Sequence, residues 1–198
     1  MNPVDYALLA KRAYTDAPTV GKPDSASRMH VYSTLHGDVH VFRGSDDIDS
    51  FIADADCVTT FVPGLGRVHA GFYGAVKAIL AACLALGPPK AIGGHSLGAD
   101  MAILYAGILA FMGTVVPVYA FEPARLCGDD VLAQLLKAKQ MPWFATRNGR
   151  DLVTQIPSDL TLPGPLTMIG TPVWPFDNIE DHDIDQVITA LSPSKVST

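Results

Sequence analysis

Residues 90–98 read Lys90-Ala91-Ile92-Gly93-Gly94-His95-Ser96-Leu97-Gly98, and the fold is decided by how this stretch is read. It contains a Gly-x-Ser-x-Gly pentapeptide, the pattern of a tight strand-to-helix turn that lifts one serine clear of a sheet. Glycines two residues either side of the serine leave room where a Cβ would press on adjacent backbone. Before the turn, residues 90–93 have the length and polarity of a short buried strand. After it, residues 97–112 are apolar almost all round, as a helix buried against a sheet should be. The pentapeptide alone is a weak signal. Between these neighbours it predicts a nucleophilic Ser96.

A serine hydroxyl is a poor nucleophile at neutral pH and needs a base within hydrogen-bond reach. In chains built on this turn the order runs serine, acid, histidine. Of the six histidines, His30, His36, His40, His69 and His95 precede Ser96, and only His182 follows it. His182 lies in Glu180-Asp181-His182-Asp183-Ile184, at the entrance to a final helical segment. Two acids compete to orient it. Asp151 closes Asn148-Gly149-Arg150-Asp151 after the strand-like residues 143–147, and Glu122 ends the apolar strand expected over 115–121. Both fall at strand carboxyl ends, where ligand sites of open α/β sheets collect. The reading favours Asp151, a carboxylate placed to hold the imidazole in one tautomer, and keeps Glu122 as its rival.

Elsewhere the chain alternates between strand and helix patterns. A helix is expected over 3–14, opened by Asn2-Pro3 as cap and first turn, then a Pro/Gly/Ser-rich loop over 17–27. Strands follow near 29–35 and 39–43 around His36-Gly37-Asp38, then helices over 70–86 and 129–139. Residues 156–177, rich in Pro and Gly, suggest two short strands and loops over the site, before a closing helix at 184–191. This alternation predicts a mostly parallel α/β sheet with an antiparallel strand near the start. With no repeat and no linker in 198 residues, a single domain over 1–198 is expected.

Composition narrows the function classes. Hydrophobic residues at 48% against 17% charged suit a sheet between apolar helices and argue against disorder. The net charge of −6, with no Lys/Arg cluster, gives nucleic-acid binding no electrostatic support. Residues 70–86 are too short for a membrane span and Pro88-Pro89 close them, so no transmembrane segment is expected. The first residues show no basic-then-apolar signal pattern, which makes the cytoplasm the default location, with export by another route left open. Three cysteines imply no disulfide framework, and Cys83 reads as a small core residue. His36-Gly37-Asp38-Val39-His40 and Asp181-His182-Asp183-x-Asp185 hold metal-ligand residue types without three convergent ligands, so no metal is expected. His69 and His95 read as structural, while Trp174 and Phe176 could line a pocket or cap the core.

Several motifs in order resemble the class 3 lipases, whose best-known members are fungal triacylglycerol lipases. Val41-Phe42-Arg43-Gly44-Ser45 resembles the family's strand and oxyanion turn, and Val68-His69-Ala70-Gly71-Phe72 its Val-His-x-Gly-Phe element. Gly94-His95-Ser96-Leu97-Gly98 resembles its nucleophile elbow; Asp151-Leu152-Val153 with Ile156-Pro157, then Asp181-His182, resemble its acid and histidine segments. The resemblance spans roughly residues 28–192. It implies an α/β-hydrolase fold in a minimal version, a carboxylic-ester substrate and no cofactor. It also implies Ser96, Asp151 and His182 as a catalytic triad, with an oxyanion hole formed by the Leu97 amide and the amide, or hydroxyl, of Ser45.

Residues 48–54 resemble the family's lid helix. Ile48, Phe51 and Ile52, with Ala55, share one face at helical spacing, beside Asp46, Asp47, Asp49, Asp54 and Asp56. An ordinary surface helix is the alternative to a lid flanked by Gly44 and Pro63-Gly64. Two departures from the family pattern stand out. Ala99-Asp100 replaces Gly-Ala after the elbow, where a carboxylate suits the helix dipole. Phe121-Glu122-Pro123-Ala124-Arg125 replaces Phe-Gly-x-Pro-Arg. The expected activity is serine carboxylester hydrolysis of small-molecule or lipid esters through an acyl-enzyme, with only transient contact to a lipid surface. An acyltransferase using the same serine, or a non-catalytic binding module, are the alternatives.

Overall fold

A computed structural model describes residues 1–45, 58–172 and 175–192. Helix α1 (Pro3–Arg12) begins as its sequence demands. Asn2 accepts from the Asp5 amide at 3.1 Å, and the Asp5 carboxylate accepts from the Asn2 amide at 2.8 Å, with proline in the first turn. The short β1 (Val20–Gly21) precedes a hairpin of β2 (Arg28–Thr34) and β3 (Gly37–Phe42). That hairpin turns at Leu35-His36, with Gly37 at φ 104°.

A separate hairpin of β4 (Thr59–Val62) and β5 (Gly66–His69) leads into α2 (Ala70–Ala85). The Pro63-Gly64 segment, expected as a loose flank, is the turn of this hairpin. Gly64 sits at φ 83°, with the Phe111 ring where a Cβ would project. Strands and helices then alternate: β6 (Ala91–His95), α3 (Leu97–Phe111), β7 (Val118–Phe121), α4 (Val131–Ala138), β8 (Trp143–Asn148), β9 (Thr167–Ile169) and α5 (Ile184–Leu191).

The main sheet has seven strands in the order β1-β2-β3-β6-β7-β8-β9. Pairing is antiparallel through β1, β2 and β3 and parallel from β3 to β9. The strand expected over 115–121 starts only at Val118, since Pro117 has no amide to give the ladder. Residues 156–177 supply one strand among those described. It joins the sheet edge, while Thr161 only bridges to Cys127. Prolines at 163 and 165 limit further pairing.

The sheet divides the core. One face packs α2, α3 and α4 around Phe42, Ile92, Met101, Leu104 and Tyr105, and the other packs α1 and α5 around Ala10, Val41, Phe121 and Val187. Cys83 and Cys127 are free and buried. Among the described residues, no helix is long and apolar enough to cross a membrane.

Candidate active site

Four neighbouring strands deliver four polar residues just past their carboxyl ends: Ser45 after β3, Ser96 after β6, Glu122 after β7 and Asp151 after β8. Ser96 is held in a conformation few side chains adopt, φ 57° and ψ −133°, at a cost of roughly 1–3 kcal/mol. The strain persists because the surroundings fix both ends of the turn. The Ser96 amide donates to the Phe121 carbonyl at 2.9 Å. A Cβ on Gly94 would strike the Gly98 carbonyl, and one on Gly98 would strike the carbonyl of Phe42 at the end of β3. Both glycines are therefore needed for close approach, as the pentapeptide implied.

Ser96 opens onto a cavity of ≈ 230 Å³ lined by Tyr14, Ser45, His95, His182, Asp183 and Ile184. Its Oγ is buried and has no hydrogen-bond partner, and the same holds for His182 Nε2. Both residues line the same cavity, where one reacting group could meet the hydroxyl and the imidazole together. Leu97, the other residue expected at the oxyanion, opens α3 directly beside Ser96, so its amide lies at the positive end of a helix. Nothing in the sequence around Tyr14 points to the site; it follows the first helix, and the fold brings it to the cavity.

His182 sits in a short turn, Glu180–His182, just before α5. Its Nδ1 lies 3.0 Å from Asp151 Oδ2, and Asp151 Oδ1 accepts from the Val153 amide at 2.9 Å. Asp181 ties this turn to the loop after β8, accepting from the Arg150 amide at 2.7 Å and from Asn178 Nδ2 at 2.9 Å. From behind, His95 Nε2 lies 2.8 Å from the His182 carbonyl oxygen, and the Tyr14 hydroxyl lies 2.7 Å from His95 Nδ1. Burial, reinforced by the nearby His182, lowers His95 to about 3. A neutral ring has one N–H, so Nε2 donates to the carbonyl and Nδ1 accepts from Tyr14.

The two candidate acids stand side by side but do different things. Burial pulls the Asp151 carboxyl up, yet hydrogen bonds with His182 and Glu122 outweigh it and leave Asp151 below the usual range. Glu122 is fully buried, and burial together with the neighbouring Asp151 pushes its carboxyl well above the usual range. It is Asp151, not Glu122, that accepts the hydrogen bond from the His182 ring.

Glu122, Asp151 and His182 are also the one group of possible metal ligands among the described residues, their donor atoms lying within 4.8 Å of one another. A glutamic acid that burial pushes toward its neutral form, beside an Asp–His hydrogen bond, suits proton handling better than a divalent cation, which requires deprotonated ligands. Of the earlier metal candidates, His40 stacks in the core on Tyr105, and His36 is exposed in the hairpin turn.

Several expectations need correction. Asp100 does not offer the α3 dipole the charge that its place in the first turn suggests. It is fully buried, and burial raises its carboxyl well above the usual range, with the Ala124 amide only partly offsetting this. Gly44 passes close to the Tyr14 hydroxyl, where a Cβ would strike it, so this position requires glycine. Phe176 is 79% exposed and neither lines the cavity nor caps the core. Ile48, Phe51 and Ile52 of the lid candidate, with Cys57 and Trp174, lie outside the described residues.

A family model described as Lipase (class 3) matches residues 39–161. Among solved structures, a triacylglyceride lipase from Rhizomucor miehei is similar with a TM-score of 0.69 at 21% identity, over 91% of each chain. A lipase from Rhizopus microsporus var. chinensis gives a TM-score of 0.67 at 20% identity, over 88% of this chain and 75% of that one. A native Rhizomucor miehei lipase propeptide complex is 25% identical with a TM-score of 0.59, covering 78% of this chain. This chain spans only 62% of the length of that last one. No curated protein matches the sequence. The likeness to these structures fixes the architecture as an α/β-hydrolase fold.

Proposed function

Given that the chain belongs to the class 3 lipases, a family of carboxylic ester hydrolases, we propose that it cleaves lipid esters through an acyl-enzyme formed on Ser96. One observation carries this reading: a strained, unpartnered serine shares a cavity with a histidine whose far nitrogen is tied to a buried carboxylate.

In the first half-reaction His182 Nε2 takes the Ser96 proton as Oγ attacks the ester carbonyl carbon. The carbonyl oxygen becomes an oxyanion facing the Leu97 amide and Ser45, donors worth about 3–4 kcal/mol each in such sites. Collapse of the intermediate breaks the ester C–O bond, and the alcohol leaves with the proton from Nε2. Water then gives a proton to Nε2 and attacks the acyl carbon, and the carboxylic acid departs as Ser96 regains its proton. Asp151 keeps Nδ1 protonated throughout and stabilises the imidazolium.

The test is labelling with an activated serine-directed phosphonate followed by peptide mass mapping. The expected result is one adduct on Ser96 and no ester turnover by Ser96→Ala. Ester turnover that survives Ser96→Ala, or an adduct on another serine, overturns the proposal.

A further inference from the structure

Glu122 stands where the sequence departs from its family pattern, at a backbone φ of 56°. Its Oε1 accepts from the Asn148 amide at 2.9 Å and from Thr146 Oγ1 at 3.2 Å, and its Oε2 lies 3.1 Å from the same amide. These donors fix the carboxyl from the side of β8. Close by stand Asp151 and His182, all three offering atoms within 4.8 Å of one another. The remaining ionisable groups nearby are committed elsewhere. His95 is turned to the His182 carbonyl, Asp181 to the Arg150 amide, and Arg147 and Arg150 to Asp177 at 3.0 Å.

Two buried carboxyls this close do not both ionise. Asp151, with donors from His182 and the Val153 amide, keeps the charge, so Glu122 keeps the proton. A buried O–H is costly unless it donates, and Asp151 is the acceptor within reach.

We infer that Glu122 is a positioning residue: as a neutral carboxylic acid it donates a hydrogen bond to Asp151 and so holds that carboxylate against His182 Nδ1. The inference rests on the proposed roles of Asp151 and His182. It has a consequence beyond packing. A donor on Asp151 disperses its charge and weakens its hold on an imidazolium, so Glu122 sets the pH at which the enzyme becomes active.

The test compares Glu122→Gln, whose amide still donates to Asp151 and accepts from the Asn148 amide, with Glu122→Leu, which does neither. Each is measured for kcat, KM and the acid limb of kcat/KM on a soluble ester. Glu122→Gln should stay within about threefold of wild-type kcat with the acid limb unmoved. Glu122→Leu should lose about 10- to 100-fold in kcat at similar KM, with the limb moved to higher pH. A folded Glu122→Leu with wild-type kcat and limb would make the residue merely structural. A Glu122→Gln limb displaced by about one unit to lower pH would show that a negative charge had been removed, overturning the neutral assignment. That second result decides the matter even where Glu122→Leu fails to fold. Ser96→Ala in parallel separates the two ideas, since activity surviving it defeats the hydrolase reading whatever Glu122 does.

Discussion

Asp151 and Glu122 carry the same functional group a few ångströms apart, yet their surroundings assign them opposite protonation states. This difference makes their isosteric amides informative. Asp151→Asn replaces the acceptor facing His182 Nδ1 with a group that can present N–H instead, which favours the wrong imidazole tautomer. A loss of about 10⁴-fold in kcat is expected, with the fold kept. Steady-state kinetics alongside a circular dichroism spectrum checks it, and a mild effect would move the orienting role to Glu122. How far the site was legible follows from the same pair. The Gly-x-Ser-x-Gly turn points to Ser96, and chain order leaves His182 as the one histidine after it. Strand ends offer two acids that sequence alone ranks but does not separate. Only the packing of the turn before α5 against the loop after β8 shows which of them meets the imidazole.

Helix α3 shows the same division at the next scale. Its existence is written in a run that is apolar but for Asp100 in its first turn, and every residue from 97 to 107 is buried. The rule that an acidic first turn suits the helix dipole presumes a solvent-facing side. A helix buried on all sides has none, so burial pushes the acid toward its neutral form. Its folded-state pKa lies above its unfolded value, so its contribution to stability is full below the unfolded pKa and falls as pH rises through the folded one. Asp100→Asn removes that penalty. It should raise Tm by a few degrees at pH 8, with the gain shrinking toward pH 4, in thermal unfolding across that range. A gain that is flat with pH would mean Asp100 does not titrate differently on folding. The elements that sequence does not reveal, β4 and β5, are four residues each and form a two-stranded sheet of their own, joined to the rest by a bridge from Val68 to Cys127, too short for alternation to register. Over 156–177, Pro and Gly mark the breaks between the two expected strands but not whether the pieces between them find a sheet edge.

For the whole molecule, two properties bear on which esters and surfaces it meets. The cavity beside Ser96, at ≈ 230 Å³, is below the about 300–1,000 Å³ typical of sites that enclose a drug-sized ligand. The net charge of −6 opposes approach to anionic lipid, and five carboxylates fall within residues 46–56 of the lid candidate. Together these favour short or medium acyl esters over long ones, and neutral micelles over anionic vesicles. Charge repulsion at a surface is screened within about 10 Å at 0.1 M salt, so the deficit on anionic vesicles should shrink as salt is added. A panel of esters graded by acyl length, run below and above each solubility limit, reads the first preference. The same ester in neutral micelles and anionic vesicles at two ionic strengths reads the second. The expected pattern is a fall in kcat/KM with acyl length and no jump at the solubility limit. A sharp rise on crossing the limit of a long-chain triglyceride would mean that an interface opens more room than the described cavity offers. That would make the protein a lipase in the strict sense, with residues 46–57 the first place to substitute.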